Sequence, residues 1–256
     1  MSLVKRTRRA SEVQSPVAFS WIYAHFHLRS RAMISNADSE EGLNTAVYNE
    51  LRTRLVMGRM SPGHELSTRS IAAELGVSQT PVRDALSRLA AEGAVAIRSK
   101  RRVRVPPMTA ERFDDLQRCR LLLEPEAAAL AIPHLNETHV KLLHEIGKQQ
   151  DEAVARGDAD AYMRANYAFH FTLYRAHNKQ TLIQLIETLW LQFGPFMRLL
   201  YGRVAHSPLH DNHEAAIAAI KAGDAEAMRA AIRADICDGM GLIARTGFSS
   251  ETGPRA

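Results

Sequence analysis

The pattern of apolar and polar residues first becomes helical at Leu43. From there Val47, Leu51 and Leu55 recur every four residues, with arginines at other positions of the same turns. Apolar residues at this spacing line one face of an amphipathic helix. The pattern therefore predicts a first helix that ends near Gly58, before the turn of residues 61–63.

Two short helices and a β-hairpin are predicted next. Ser67 and Ser78 are good N-cap residues, and Gly76 and Gly93 supply the breaks after the two helices. The segments 94–97 and 102–105 are predicted as short strands on either side of a polar turn. The order helix, helix, turn, helix, hairpin is typical of a winged helix-turn-helix.

Residues beyond Pro106 and Pro107 are predicted to be all-helical. The two prolines interrupt the preceding strand, because neither can donate a backbone hydrogen bond. Apolar periodicity then predicts six helices, at about 109–132, 136–155, 158–177, 180–201, 208–222 and 224–245. The expected fold class is therefore mainly α, with an N-terminal winged helix-turn-helix and a C-terminal antiparallel helical bundle.

Composition and cysteine usage favour a cytoplasmic protein. Apolar residues make up 46% of the chain and charged residues 24%, which is usual for a soluble globular protein. No uninterrupted apolar run is long enough for a membrane span. The basic N-terminus lacks the apolar segment and cleavage site of a signal peptide. Cys119 and Cys237 lie far apart, without the spacing of a metal site.

Positive charge is concentrated in the winged-helix segment. Residues 44–105 hold eleven lysines and arginines against five acidic residues, although the whole chain has a net charge of only +5. Residues 106–256 are mildly acidic by comparison. A compact basic head on an acidic body is typical of a protein that binds a polyanion such as DNA.

The start of the third helix carries side chains suited to DNA. A helix-turn-helix places the N-terminus of its second helix in the major groove. The hydroxyls of Ser78 and Thr80 can bind phosphate there, whereas Gln79 can pair with adenine. Arg83 can reach phosphate or guanine, and Arg69 can approach the same groove. The alternative interpretation is that the hydroxyls only cap the helix and the arginines form a solvated face.

The segment from Leu66 to Gly93 resembles the head of the GntR family of bacterial transcription regulators almost throughout. The resemblance implies that the operator-contacting residues are Arg69, Ser78, Gln79, Thr80 and Arg83. The wing departs from the family pattern, because Lys100, Arg101 and Arg102 occupy a turn in which a glycine is expected. We therefore expect Lys100 and Arg101 to attract phosphate in place of minor-groove insertion.

Four polar residues of the C-terminal half can meet inside the bundle. Asn166 and His170 lie four residues apart on one helical face. His213 and Asp235 come level if the last two helices run antiparallel around the turn at 221–224. Two imidazoles, a carboxylate and an amide oxygen can hold a divalent transition metal. On spacing alone, a hydrogen-bonded structural histidine remains the competing interpretation.

The same half resembles the FCD sensor domain of the FadR-type branch of GntR regulators, and six helices correspond to its VanR-like subgroup. The match is carried by residues 120–130, 166–170, 213 and 223–227. It implies a divalent metal such as zinc or nickel, held by Asn166, His170, His213 and Asp235. Two of these residues differ from the usual set, since Asn166 replaces an acid and Asp235 replaces a histidine.

The resemblance also implies an effector anchor on the first sensor helix. Arg120 is the arginine that would enter the cavity and hold a carboxylate, whereas an intrahelical ion pair with Glu124 is the alternative. Nearby aromatic residues either wall this pocket or belong to the core: Tyr174, Trp190, Phe193 and Phe196.

Together these features predict a bacterial regulator in four segments. They are a flexible arm at 1–42, a DNA-binding domain at 43–106, a ligand-sensing and dimerisation domain at 107–247, and a tail at 248–256. A homodimer is expected to repress from a pseudo-palindromic double-stranded operator until a small organic acid releases it.

Two alternative functions remain open at this stage. One is a regulator for which the metal itself is the signal. The other is a metal-dependent hydrolase in which His170, His213 and Asp235 activate water. The hydrolase lacks support, because the sequence has no nucleophile elbow, phosphate-binding glycine loop or His-Glu-x-x-His segment.

Overall fold

The computed structural model describes residues 34, 39–99, 102–204 and 212–244. Within these residues the predicted fold class is confirmed, with a winged helix-turn-helix followed by an all-helical bundle. Most of the predicted arm, the tail at 248–256, and the wing residues Lys100 and Arg101 lie outside the described part of the chain.

In the described part of the N-terminal unit there are three helices and three strands. They are α1 (Glu40–Val56), β1 (Glu65–Ser67), α2 (Thr68–Leu75), α3 (Gln79–Ala91), β2 (Ala96–Ser99) and β3 (Arg102–Arg104). Helix α1 begins earlier than predicted because Ser39 caps it, its hydroxyl accepting a hydrogen bond from the Gly42 N–H at 3.1 Å. Ser67 caps α2 in the same way, as predicted, and the left-handed conformation of Gly76 ends that helix.

The wing is a three-stranded antiparallel sheet rather than the predicted two-stranded hairpin. Strand β3 lies in the centre, where Val103 faces Leu66 of β1 on one side and Ile97 of β2 on the other. Strand β1 was not predicted, because three residues are too few to show an alternation of apolar and polar side chains. Strand β2 begins two residues later than expected, since Ala94 and Val95 are buried in the turn that leaves α3.

The C-terminal unit is a bundle whose helices agree with the predicted segments within a few residues. They are α4 (Ala110–Ala131), α5 (Glu137–Arg156), α6 (Ala159–Tyr174), α7 (Gln180–Val204), α8 (Asn212–Ala222) and α9 (Ala225–Ala244), with a 3₁₀ turn at Ile132–His134. Helix α6 is the central element, buried on every side from Ala165 to Tyr174. It ends three residues earlier than predicted because the Ala176 N–H turns back to the Leu173 carbonyl.

The two units share a closely packed seam between α1 and α7. Gly194 of α7 lies so close to α1 that a Cβ atom there would come within 2.6 Å of both the Leu55 carbonyl oxygen and the Val56 Cα. The Gln192 amide donates a hydrogen bond to the Glu92 carbonyl at 3.0 Å, and Arg52 of α1 pairs with Glu187 at 3.0 Å. Helix α7 therefore joins the DNA-binding unit directly to the bundle.

The described helices include no candidate for a membrane span. None of them combines the length and the apolar character that crossing a bilayer requires.

Candidate DNA-binding face and metal-ligand cluster

The N-terminus of α3 presents polar side chains to solvent while its apolar side is anchored in the head. Pro81 and Val82 are buried, whereas the side chains on either side of them are exposed: Ser78, Gln79, Thr80 and Arg83. The Arg83 guanidinium donates a hydrogen bond to the Gln79 amide oxygen at 3.2 Å. No acidic residue occupies the first turn of α3, so this helix start is compatible with phosphate.

Ser78 has the extended backbone of an N-cap, but its hydroxyl makes no capping hydrogen bond. The expectation that its side chain caps α3 is therefore wrong, and the hydroxyl is available to an external acceptor. Arg69 is likewise exposed, in the first turn of α2. In the wing, Arg102 pairs with Glu65 of the neighbouring strand at 3.1 Å, which lowers the positive charge that this residue can offer.

Three of the four predicted metal ligands form one cluster. The ligand atoms of His170 on α6, His213 on α8 and Asp235 on α9 all lie within 4.8 Å of one another. The His170 Nε2 is 3.3 Å from one carboxylate oxygen of Asp235, and the His213 Nε2 is 3.7 Å from the other. The Phe169 ring stacks on His213 with centroids 3.7 Å apart. The turn at Gly223 brings α8 and α9 level, as the sequence predicts.

Asn166 lies one helical turn before His170 and lines the same cavity. The residue is only 6% exposed, yet its amide nitrogen has no hydrogen-bond partner among the described residues. A buried amide without a partner is costly, because it has lost its water and gained nothing in return. Asn166 is therefore a candidate contact for a ligand in this cavity.

A chain of buried hydrogen bonds runs from the cluster to Arg120. The Tyr174 hydroxyl donates to Glu124 at 2.9 Å, and the His170 Nδ1 lies 3.1 Å from the same hydroxyl. Glu124 also accepts two hydrogen bonds from Arg120, at 2.6 and 3.2 Å. Because the carboxylate can only accept, Tyr174 must donate to it, and the His170 Nδ1 must donate to the tyrosine oxygen. Burial raises the pKa of Tyr174 well above its usual range, which keeps the hydroxyl protonated.

This donor order turns the His170 Nε2 toward Asp235, 3.3 Å from its carboxylate oxygen. A lone pair opposite a carboxylate oxygen is repulsive unless a proton or a cation lies between them. Burial raises the pKa of Asp235, but a hydrogen bond with His170 and the nearby positive groups outweigh it and hold the pKa at about 2. An ionised carboxylate beside two imidazole nitrogens is a donor set that fits a divalent transition metal.

In the structure Arg120 forms an ion pair with Glu124, as the alternative interpretation of this residue expects. Its guanidinium donates two hydrogen bonds to Glu124 and one to the Met240 sulfur, and it lies against the rings of Phe193 and Trp190, at 4.9 and 5.3 Å from their centroids. The cavity beside it, here called the inner cavity, is also lined by His170, Asn166 and Asp235 and has a volume of about 40 Å³. Such a volume accommodates an ion and a few waters.

A second and larger space, here called the outer cleft, opens on the other side of the cluster. It lies between α5, α6, α8 and α9 and has a volume of about 590 Å³. The inner cavity and the outer cleft share four wall residues: Tyr162, Asn166, Asn212 and Asp235. Sequence reasoning missed this cleft, because the residues of α5 that face it carry no motif.

Fold and site together define a class, a winged-helix DNA-binding protein with a helical domain that carries a buried histidine and carboxylate cluster. Residues 43–105 match the bacterial regulatory proteins of the gntR family, and residues 115–237 match the FCD domain. The chain belongs to the GntR family, in its FadR-type branch with an FCD domain. The predicted resemblance is thereby confirmed at the level of family and branch.

Individual relatives agree with this assignment. The HTH-type transcriptional regulator McbR of Escherichia coli K12 is 33% identical over 190 residues, which cover 73% of this chain and 86% of the relative. The gluconate operon transcriptional repressor of Bacillus subtilis 168 is 32% identical over 196 residues, 73% of this chain and 79% of the relative. The solved structure of E. coli McbR/YncC superposes with a TM-score of 0.74 at 30% identity, covering 79% of this chain and 97% of that one.

The protein is therefore a transcriptional regulator that binds DNA, and the hydrolase alternative is excluded, since its families and relatives are regulators rather than enzymes.

Proposed function

We propose that the protein is a homodimeric repressor that binds a pseudo-palindromic operator through residues 43–106 and releases it when residues 107–247 bind a small organic acid. The observation that carries this proposal is the pairing of an exposed, acid-free α3 N-terminus with a buried ligand cluster in the same chain. Arg69, Ser78, Gln79, Thr80 and Arg83 would contact the operator, with Lys100 and Arg101 adding phosphate contacts. Repression is supported by the relatives named as gluconate operon repressors.

A bound divalent metal such as zinc or nickel is part of this proposal. His170, His213 and Asp235 would hold it, with the Asn166 amide oxygen as a fourth ligand. When bound, the ion would offer open positions to the carboxylate of an effector. Arg120 remains the second proposed contact for that carboxylate, which would have to draw the guanidinium away from Glu124. The close approach of the His170 Nε2 and the Asp235 carboxylate, 3.3 Å apart, supports a metal because both groups are suitable ligands for the same divalent ion.

Operator binding is the experiment that tests the regulator. The full chain is mixed with DNA from upstream of its own gene and of the adjacent genes, and footprinting locates any protected palindrome. We expect protection by a dimer, followed by release when the effector is added. Absence of a protected palindrome in all of these regions would count against the proposal.

A metal-responsive regulator is the second candidate, and the inner cavity favours it because its volume of about 40 Å³ suits an ion better than an organic acid. A chelator added to the operator complex separates the two candidates. Release that particular divalent metals reverse, without any organic acid, identifies the ion as the signal. Continued binding in the chelator, with release by an acid, identifies the organic effector.

A further inference from the structure

We infer that a cleft between the DNA-binding unit and the bundle, here called the seam cleft, binds a phosphate ester of a small metabolite. The cleft lies beside the contact of α1 with α7 and has a volume of about 360 Å³. Its walls come from α1 and the end of α3 on one side, and from α6 and α7 on the other. The seam cleft shares no wall residue with the inner cavity or the outer cleft, so the inference is independent of the organic acid proposed above.

Size and charge are the first reasons to expect an anion in the seam cleft. Its volume of about 360 Å³ lies in the range of small-molecule sites. Three arginines and two glutamates line it: Arg52, Arg88, Arg175, Glu92 and Glu187. The walls therefore carry one net positive charge, and the wall residues Tyr48 and Tyr167 add no negative charge because burial raises the pKa of each phenol. A small anion is attracted by such a lining as a whole.

Two of the arginines converge on one carboxylate from the two units. Arg52 of α1 donates to one Glu187 oxygen at 3.0 Å, and Arg175 of the bundle donates to the other oxygen at 2.5 Å. The Arg175 guanidinium also donates to the Tyr167 hydroxyl at 3.3 Å. Two guanidinium charges thus share the single charge of Glu187. The repulsion between them is offset when an anion binds beside them.

The third arginine, Arg88, is held in place but stays accessible. Its guanidinium carbon lies 3.7 Å from the centre of the Tyr48 ring, and its Nε donates to Glu92 at 3.3 Å. Glu92 is itself fixed by the Tyr48 hydroxyl, which donates to its two oxygens at 2.8 and 3.0 Å. The Arg88 side chain is nevertheless 60% exposed. A cation that is already positioned loses little conformational freedom when it binds an anion.

The arrangement of the guanidiniums defines the chemical class of the ligand. Each arginine presents a planar fork of donors that fits two oxygens of a carboxylate or a phosphate. A carboxylate has only these two oxygens, whereas a phosphate ester has three terminal oxygens and nearly two negative charges. It can therefore bind guanidiniums that approach from different directions, as those on α1, on α3 and at the end of α6 do. The wall amides of Asn49 and Gln184 suit the hydroxyl groups of a small metabolite.

A ligand in the seam cleft has consequences for DNA binding because both units hold it. Arg52 and Arg88 belong to the DNA-binding unit and Arg175 to the bundle, so the bound ester favours one placement of the two units. Binding of the ester therefore changes the affinity for the operator, and the operator changes the affinity for the ester by the same factor. Fluorescence anisotropy with labelled operator DNA measures this coupling.

The site and the class are tested with matched pairs of phosphate esters and carboxylates: glycerol 3-phosphate and glycerate, ribose 5-phosphate and ribonate, glucose 6-phosphate and gluconate. Calorimetry and the shift in melting temperature measure their binding to the full chain at constant ionic strength. We expect at least one phosphate ester to bind, and Arg88→Gln to weaken its binding by about tenfold or more. Binding of the carboxylates should stay the same in this variant.

Two further substitutions serve as controls for charge and place. Arg156→Gln removes an arginine that is 61% exposed and is paired with Glu152 at 3.3 Å, as Arg88 is with Glu92, but does not line the seam cleft. It should leave binding of the ester unchanged. Gln184→Glu adds a negative charge to the exposed part of the wall and should weaken binding by about tenfold. Gln184→Met has a similar size without the charge and should weaken it much less.

Three results would overturn the inference. The first is that no phosphate ester binds, and the second is that an ester binds equally well to the Arg88→Gln and Arg156→Gln variants. The third is that the carboxylates lose as much affinity in Arg88→Gln as the esters do, which would contradict the chemical class. An ester that binds at the seam cleft and leaves operator affinity unchanged would contradict the coupling between the two units.

Discussion

At the scale of single residues, Tyr174 supports the cluster without belonging to it. Its hydroxyl accepts from the His170 Nδ1 and donates to Glu124, so it holds the imidazole in the tautomer whose Nε2 faces Asp235. Partners of this kind orient metal ligands, and their loss typically lowers metal affinity about 10–100-fold. We therefore expect Tyr174→Phe to weaken metal binding by about this factor while the chain stays folded.

Competition with a chromophoric chelator measures the affinity for zinc or nickel in this variant. Tyr201→Phe is the control, because the Tyr201 hydroxyl donates to the Ala153 carbonyl and takes no part in the chain of hydrogen bonds. An unchanged affinity in Tyr174→Phe would contradict the role given to this hydroxyl. His170→Ala should remove the metal altogether, as judged by elemental analysis.

The metal-ligand cluster could be predicted from the sequence, but the hydrogen bonds that orient its ligands could not. Asn166 and His170 are one helical turn apart, and His213 and Asp235 lie ten and twelve residues from Gly223 in the turn, so helix geometry brings each pair together. Tyr174 and Glu124 are 50 residues apart in sequence and lie on different helices. Their contact depends on how α4 and α6 are rotated about their axes relative to each other. A local sequence pattern does not indicate this relative orientation of the two helices.

At the scale of elements, helix α7 contacts both units: one of its faces packs in the bundle and another packs against the DNA-binding unit. Trp190, Phe193 and Met197 face the bundle around the cluster. Glu187 and Gly194 meet the head, the first through Arg52 and the second through the backbone of α1. Helix α7 therefore gives ligand binding a continuous packed connection to the DNA-binding unit.

Gly194→Ala tests how tightly this seam is packed. The added methyl group would lie 2.6 Å from backbone atoms of Leu55 and Val56, which cannot move aside as a flexible side chain would. We expect a loss of stability of about 1–3 kcal/mol, as in overpacked cores, together with an altered response of operator binding to ligand. Urea denaturation and fluorescence anisotropy measure the two effects.

Gly147→Ala is the matched control for this substitution. The same methyl group enters a helix where nothing lies within 4 Å, and it should stabilise the chain by about 0.5–1 kcal/mol. If Gly194→Ala were as stable as this control, the close approach of α1 and α7 would not exist in solution.

At the scale of the whole molecule, charge separates the two halves. Basic residues predominate in 44–105, and the exposed start of α3 offers Arg83 at the tip of that unit. Arg83→Ala should weaken operator binding by about 1–3 kcal/mol and leave the melting temperature unchanged. Arg156→Ala removes the same charge from an exposed position on α5 and should leave operator affinity unchanged within error. Equal effects of the two substitutions would show that only net charge matters.

The order of the helices was predictable throughout the described chain, because caps, glycines and periodicity act locally. Strand β1 was missed, and so was the seam, since both depend on partners distant in sequence: Leu66 pairs with Val103, and Gly194 meets Leu55. The large cleft was missed for the same reason, as an empty space has no residue pattern of its own.

The glycine contact between α1 and α7 also limits how this protein can be recombined with its relatives. A chimera joined at Pro106 would unite an α1 shaped for one bundle with an α7 shaped for another, and a single larger residue in place of Gly194 would keep them apart. Exchange of the sensor therefore has to keep a glycine at position 194, because the atoms that it faces belong to the backbone of α1. New operator specificity, by contrast, can arise at Gln79 or Arg83 without any adjustment across the seam.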